Sequence, residues 1–185
     1  MSIGTLRRPE IIPPFEIDEF IIREANKDEM DEVYLMGIDV WGKDYSLDEY
    51  MNECRGSIKY QKGIWYIIEH NHKLVSSIII YSLPSLDNLL AIGLGSLATK
   101  HDERLRGYSS KLLKPIIEEY QKKLNISIFV LHAEINTKFY ERFGFQAINQ
   151  SLQKYNNATC MIRHIGSENF RQIEKLYAEN SICYF

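Results

Sequence analysis

The segment from residue 89 to residue 124 constrains the fold most, because it joins a strand, a charged loop and a long helix. We predict a strand over "LLAIGLGSLAT" (89–99), followed by the loop "KHDERLRG" (100–107). Pro115 should remove one hydrogen bond from the helix and kink it locally. The helix is indicated by apolar residues at one-turn spacing, namely Leu112, Leu113, Ile116, Ile117, Tyr120 and Leu124.

The remaining pattern predicts alternating strands and helices behind an irregular N-terminal arm. The arm (1–19) contains Pro9, Pro13 and Pro14, which lack backbone N–H donors and disfavour helix. We assign 20–165 to one domain and 166–185 to a C-terminal helical extension. The predicted strands are 20–25, 63–70, 74–82, 126–132, 145–149 and 159–165, and the further helices are 27–41, 46–54, 136–144 and 167–180, the last capped by Ser167.

Composition excludes several classes of protein. A chain of 185 residues with 45% hydrophobic content can bury a core, and a net charge of -3 argues against a nucleic-acid binder. The three cysteines are widely spaced and form no zinc pattern, so we expect reduced thiols in a cytoplasmic protein without a metal. The N-terminal residues lack the apolar run of a signal peptide, and we expect no membrane partner.

The loop "DERLRGYSS" (102–110) has the chemistry of an anion site. Backbone N–H groups at a helix start lack partners and carry partial positive charge. Gly107 would let the backbone approach a ligand, and Arg104 and Arg106 add full charges to the same end. The alternative is a solvated loop with a simple backbone turn, since short motifs often match by chance.

Two short motifs, which follow one another in the chain, resemble those of a known protein family. Residues 104–109, "RLRGYS", resemble the Q/R-x-x-G-x-G/A loop of the GNAT superfamily of N-acetyltransferases, with Ser109 at the last position. "FYERFGF" (139–145) resembles the short helix and turn near the end of that fold. The resemblance covers about residues 20–165. It implies an α/β (α+β) fold with a mixed, mostly antiparallel central sheet, flanked by helices, whose central strands (89–99 and 126–132) splay apart.

The resemblance also implies acetyl-CoA as co-substrate. Pantetheine would pair with the backbone near Leu97, Ala98 and Thr99 in the gap between the splayed strands. The pyrophosphate would sit on the helix-start loop, whose six residues are Arg104, Leu105, Arg106, Gly107, Tyr108 and Ser109.

The implied reaction is direct attack of an amine on the thioester in a ternary complex. The backbone N–H of Leu97 would polarise the thioester oxygen, and Tyr140 would act as general acid toward the departing thiolate. The strand position at which histone-type relatives place a glutamate is Gly93, so the base stays open. Its alternatives are a water relay and the side chains Glu69, His132 and Glu134.

The acceptor is expected near the loop 41–50, where Trp41 and Tyr45 stand among carboxylates and suit a cationic amine. Gly93 and Gly95 should leave one strand face open to a ligand or to a bulky neighbour. We therefore predict an N-acetyltransferase acting on a primary amine of a small molecule, peptide or protein, as a monomer or homodimer. The alternative is a non-catalytic acyl-CoA-binding or regulatory module of the same fold.

Overall fold

A computed structural model describes residues 7–134 and 136–180, and its centre is one eight-stranded sheet. The spatial order of the strands is β1-β2-β3-β4-β5-β6-β8-β7. Their bounds are β1 Phe15–Ile17, β2 Phe20–Glu24, β3 Ile64–His70, β4 Lys73–Ser82, β5 Ala91–Thr99, β6 Ile128–Ala133, β7 Gln146–Ala147 and β8 Thr159–His164. The mixed, mostly antiparallel sheet that the family resemblance implied is confirmed.

The two central strands diverge, as expected. Strands β5 and β6 form the parallel pair of the sheet, and their register runs from Ala91 opposite Ile128 to Leu94 opposite Leu131. Beyond Leu94 their pairing ends, although β5 continues to Thr99 and β6 to Ala133. The sheet therefore opens into a wedge between two strands that remain paired on their outer sides.

Helices cover both faces of this sheet. The long helix α5 buries Leu112, Leu113 and Ile116 in the core of one face. On the other face, Val33 of α1 and Ile173 and Tyr177 of α7 join a second core with β5, β6 and β8. The helices are α1 Met30–Leu35, α2 Ile38–Trp41, α3 Leu47–Gly56, α4 Ile58–Lys62, α5 Tyr108–Leu124, α6 Thr137–Glu141 and α7 Phe170–Glu179.

The helix predicted over 27–41 is wrong as a single element. It consists of a 3-10 turn at Lys27–Glu29, then α1, then α2. The break lies at Gly37, where the Trp41 ring occupies the space of a side chain: a Cβ on Gly37 would lie 2.1 Å from Trp41 Cε3. Met36 and Gly37 form a turn between α1 and α2, and a side chain at position 37 would collide with the Trp41 ring.

The ends of the chain also differ from expectation. Residues 15–17, predicted as part of the irregular arm, form β1 and pair with β2. Helix α7 begins at Phe170, and its cap is Asn169, which forms a capping box with Gln172, rather than Ser167. Helix α5 continues through Pro115. The first six residues of the predicted arm and the last five of the predicted extension lie outside the described residues.

Candidate active site

A cavity of about 420 Å³ occupies the wedge between β5 and β6. Strand β5 forms one wall, α6 and the end of β6 form the other, and the first turn of α5 contributes Ser109. The residues that matter below are Trp41, Lys59, Tyr60, Ser96, Leu97, Ser109, His132, Glu134 and Tyr140, all of which line this cavity.

The β5 wall is interrupted by a bulge. Ser77 pairs with Ala98 and Ile79 pairs with Gly95, so that Ser96 and Leu97 together oppose the single residue Ile78. Ser96 has a positive φ of 43°. A bulge removes a residue from the ladder and redirects the backbone. The backbone around Leu97 is thereby offered to the cavity, where the resemblance had placed both pantetheine pairing and the oxyanion donor.

Tyr140 stands on the opposite wall. Its ring meets Phe139 edge-on, with ring centroids 5.0 Å apart, and Phe145 at 6.2 Å. Burial, and secondarily the charge of Glu134, raise the pKa of the Tyr140 phenol to about 12. The hydroxyl therefore remains protonated at neutral pH and is available as a proton donor.

The start of α5 is suited to an anion. Its cap residue Gly107 has a φ of 82°, and a Cβ there would meet no protein atom within 4 Å. No side chain caps the helix, and its first turn contains no acidic residue. The first N–H groups of α5 thus retain their partial positive charge beside open space.

The two arginines of the loop are engaged with carboxylates. Arg104 pairs with Asp39 of α2 and donates from Nε to the Thr99 carbonyl oxygen at 3.1 Å. Arg106 Nη1 lies 2.8 Å from Glu103 Oε2. Leu105, between them, is fully exposed with a φ of 64°. The predicted positive charges are present at this end, but each is already half of an ion pair.

Polar side chains of the predicted cofactor segment are held to one another. Thr99 Oγ1 lies 2.7 Å from Ser109 Oγ and 2.9 Å from Ser76 Oγ, which ties the end of β5 to the first turn of α5. The Tyr108 ring is buried, with its hydroxyl 2.9 Å from His70 Nδ1. Ala98 is also buried. For Tyr108 and Ala98 it is the backbone that faces any ligand.

The predicted acceptor residues separate in the structure. Trp41 lines the cavity and donates from Nε1 to Glu134 Oε2 at 2.9 Å. Tyr45 lines a neighbouring cavity, which shares Trp41 with the first. Gly93 lies before the wedge, opposite Tyr81 on β4 and Val130 on β6, and it does not line the cavity.

The candidates for the base also separate. Glu69 is 3.0 Å from Arg23 at the far end of the β3–β4 hairpin, away from the cavity. His132 and Glu134 both line the cavity. Burial, reinforced by the charges of Lys154 and Lys59, lowers the pKa of His132 to about 4, so its imidazole is neutral near pH 7.

Sequence reasoning missed part of the cavity wall. Lys59 and Tyr60 come from α4, which was not predicted, and Ser96 and Asn136 also contribute. The available signal was Ser57, which caps α4 by accepting a hydrogen bond from the Tyr60 N–H. Because α4 is only five residues long, its apolar pattern carries almost no periodicity.

Two further features concern the described part of the chain. Within residues 7–134 and 136–180, no three His, Cys, Asp or Glu side chains are grouped so that they could hold a metal ion. No helix in these ranges has the length and apolar character needed to cross a membrane.

Comparison with known proteins matches this geometry. The family model described as an acetyltransferase (GNAT) domain matches residues 21–148. No curated protein matches the sequence. Among solved structures, PaiA N-acetyltransferase from Thermoplasma acidophilum in complex with coenzyme A has a TM-score of 0.60 at 15% identity, covering 79% of this chain and 99% of that one.

Two other solved structures show the same fold. Naa50 from Arabidopsis thaliana, in complex with a bisubstrate analogue, has a TM-score of 0.57 at 15% identity, covering 80% of this chain and 100% of that one. An uncharacterised protein from Bacillus halodurans has a TM-score of 0.63 at 15% identity, covering 92% of this chain and 97% of that one. With a family match over more than half of its length, this chain belongs to the family of acetyltransferase (GNAT) domains.

Proposed function

We propose that the protein is an acetyl-CoA-dependent N-acetyltransferase that transfers the acetyl group directly to a primary amine. The observation that carries this proposal is the wedge between β5 and β6. It holds a cavity with the Leu97 bulge on one wall and the protonated Tyr140 phenol on the other. The solved relatives that contain coenzyme A support the choice of co-substrate.

The chain offers complementary groups for each part of the co-substrate. The backbone of the bulge at Ser96 and Leu97 would pair with pantetheine, as an added strand pairs with a sheet edge. The N–H groups that follow Gly107 would hold the pyrophosphate, with Arg104 and Arg106 supplying charge. Ser109, fixed to Thr99, would direct its hydroxyl into the same space.

The proposed reaction replaces the C–S bond of the thioester with a C–N bond. An alkylammonium with a pKa near ~10.4 first gives up one proton, and the neutral amine attacks the thioester carbonyl carbon. The Leu97 N–H donates to the carbonyl oxygen as the C–N bond forms and the C–S bond breaks. Tyr140 donates its phenolic proton to the departing thiolate and regains one as the amide nitrogen loses its second proton. The products are an amide, a thiol and one proton released to solvent.

The proton of the ammonium has two acceptors on the cavity wall besides water. Glu134 is exposed, whereas His132 is only weakly basic because burial lowers its pKa to about 4. The proton would therefore pass through water to the exposed Glu134 carboxylate rather than to His132. Glu69, held by Arg23 away from the cavity, is not part of this proposal.

The proposal is tested with acetyl-CoA and a panel of amines, by measuring amine-dependent release of free thiol and the mass of the product. We expect an increase of one acetyl group on the acceptor and no transfer in the absence of amine. Tight CoA binding without transfer to any amine would replace the enzyme by a binding module of the same fold. Loss of both binding and transfer would overturn the proposal.

A further inference from the structure

Trp41 and Glu134 lie far apart in the sequence and meet at the cavity. The indole Nε1 donates to Glu134 Oε2 at 2.9 Å, across a separation of 93 residues. Trp41 ends α2, and Glu134 follows β6 directly, so this hydrogen bond joins the two sides of the cavity mouth. Both side chains contribute to the lining, which puts a carboxylate and an aromatic face at one place.

The Trp41 ring packs against Gly37, where the absence of a side chain leaves room for it. The ring carbons Cε3 and Cζ3 occupy the space in which a Gly37 Cβ would stand, at 2.1 and 2.2 Å from its position. The backbone of Gly37 therefore supports one face of the ring. An aromatic ring held in this way loses little freedom when a ligand packs on it, which favours binding.

Glu134 also lies within electrostatic reach of the proposed acid. Its charge contributes to the raised pKa of Tyr140 and of Tyr60, after burial in both cases. Lys59 lies on the same cavity wall, so the cavity is not uniformly negative. A cation in this cavity would therefore be attracted by the nearby Glu134 carboxylate rather than by the net charge of the cavity.

We propose that the Glu134 carboxylate and the Trp41 ring form the binding site for the ammonium group of the acceptor. The acceptor class is then an alkylamine that is cationic at neutral pH, rather than a neutral aryl amine. Carboxylates and aromatic faces both attract an ammonium. This inference rests on the proposed function, because it names the substrate class of the same site.

The carboxylates of the 41–50 loop do not provide such a site. Glu49 is used in the capping box of α3, where its Oε2 accepts from the Ser46 N–H at 2.8 Å. Asp44 and Asp48 do not line the cavity. Glu134, which the sequence placed only as a possible base, is the carboxylate that lines the cavity and contacts Trp41.

Binding is tested without any chemistry. With CoA present, butylammonium is titrated while the indole N–H resonance of Trp41 is followed by NMR, the assignment coming from Trp41→Phe. We expect a saturable shift that butanol, a neutral analogue of similar shape, does not produce. Glu134→Gln should weaken butylammonium binding at least ~10-fold, and Asp44→Asn should leave it unchanged. Equal binding in wild type and Glu134→Gln would overturn the proposal.

Kinetics provide a second readout. In Glu134→Gln, KM for butylamine should rise at least ~10-fold while KM for a neutral aryl amine stays the same. Gly37→Ala, which displaces the Trp41 ring, should weaken butylammonium binding as well. An equal change for both amines would mean that Glu134 does not select charge. If no amine is acetylated but butylammonium still binds through Glu134, the proposed function fails while the cation site stands.

Discussion

The guanidinium of Arg104 binds both carboxylate oxygens of Asp39, with Nη1 to Oδ2 at 2.5 Å and Nη2 to Oδ1 at 2.7 Å. This pair connects the proposed pyrophosphate loop to α2, whose last residue, Trp41, lines the acceptor side of the cavity. The hydrogen bonds from Arg104 lower the pKa of the Asp39 carboxyl, and the same bonds raise the pKa of the Arg104 guanidinium. A phosphate group at the loop would compete with Asp39 for the same donors.

Removing that competitor should tighten CoA binding. In Asp39→Asn we expect CoA to bind up to ~5-fold more tightly, because exposed pairs of this kind contribute about 0.2–1 kcal/mol. The measurement is a calorimetric titration. Asp31→Asn, which removes the similar exposed pair with Arg55, is the matched control and should not change the affinity. A weaker affinity in Asp39→Asn would mean that Asp39 holds Arg104 in its binding position.

Gly107 should be required for the anion site. A side chain at its φ of 82° costs about 1–2 kcal/mol in conformational energy, and the Cβ would project into open space that the phosphates would use. We expect Gly107→Val to lose ~10-fold or more in CoA affinity while remaining folded. Gly56→Val, at a glycine with equally open surroundings but no positive φ, should bind CoA normally. Unchanged affinity in Gly107→Val would move the pyrophosphate elsewhere.

Tyr140→Phe should separate turnover from binding. Loss of a general acid lowers the rate by ~10²–10⁴-fold, whereas the ring contacts with Phe139 and Phe145 are retained. Turnover is measured with saturating amine and acetyl-CoA, and CoA affinity by titration. Tyr120→Phe removes a buried hydroxyl that donates to the Glu10 carbonyl oxygen and should affect stability rather than turnover. Near-native turnover in Tyr140→Phe would leave this tyrosine a packing role.

His132 should make the fold sensitive to acid. The folded protein keeps this imidazole neutral because burial lowers its pKa from 6.5 to about 4. Between these values the unfolded chain binds the proton and the folded chain does not, so the free energy of unfolding decreases as the pH falls from 6.5 toward 4. The effect amounts to roughly 3 kcal/mol. The free energy of unfolding, measured by urea unfolding at a series of pH values, should depend less on pH in His132→Asn than in wild type. An equal pH dependence in the two proteins would contradict the prediction.

Sequence pattern predicted the long elements of the fold well. The helix after Gly107 and the hairpin of β3 and β4 were expected nearly at their observed bounds, because each carries many periodic positions. The failures lie where one contact overrides local pattern. The helix expected over 27–41 is interrupted at Gly37, where the Trp41 ring packs close to the backbone, and the capping box of Asn169 with Gln172 replaces the cap expected at Ser167.

Short motifs located single residues of the candidate site, whereas the contacts between distant segments could not be predicted. The glycine at the start of α5 and the tyrosine of α6 lie where short motifs placed them, since these positions depend on local sequence, and their roles stay predictions. Contacts between distant segments have no such signal. Nothing near Arg104 in the sequence reveals Asp39, 65 residues away. Likewise, Trp41 and Glu134 meet only because α2 and the end of β6 border the same wedge.

The wedge between β5 and β6 has a consequence for the lifetime of the protein. Beyond Leu94 and Leu131, the two central strands diverge without pairing, so the sheet is held together there only by the outer neighbours of β5 and β6. A molecule that binds in this wedge would bind only the folded chain. At a free concentration of 100 times its dissociation constant, it would add ~2.7 kcal/mol to the free energy of unfolding. Proteases that degrade the unfolded chain would therefore spare the protein when that molecule is abundant. A ligand bound in this wedge would thus link the amount of folded protein to the supply of that ligand.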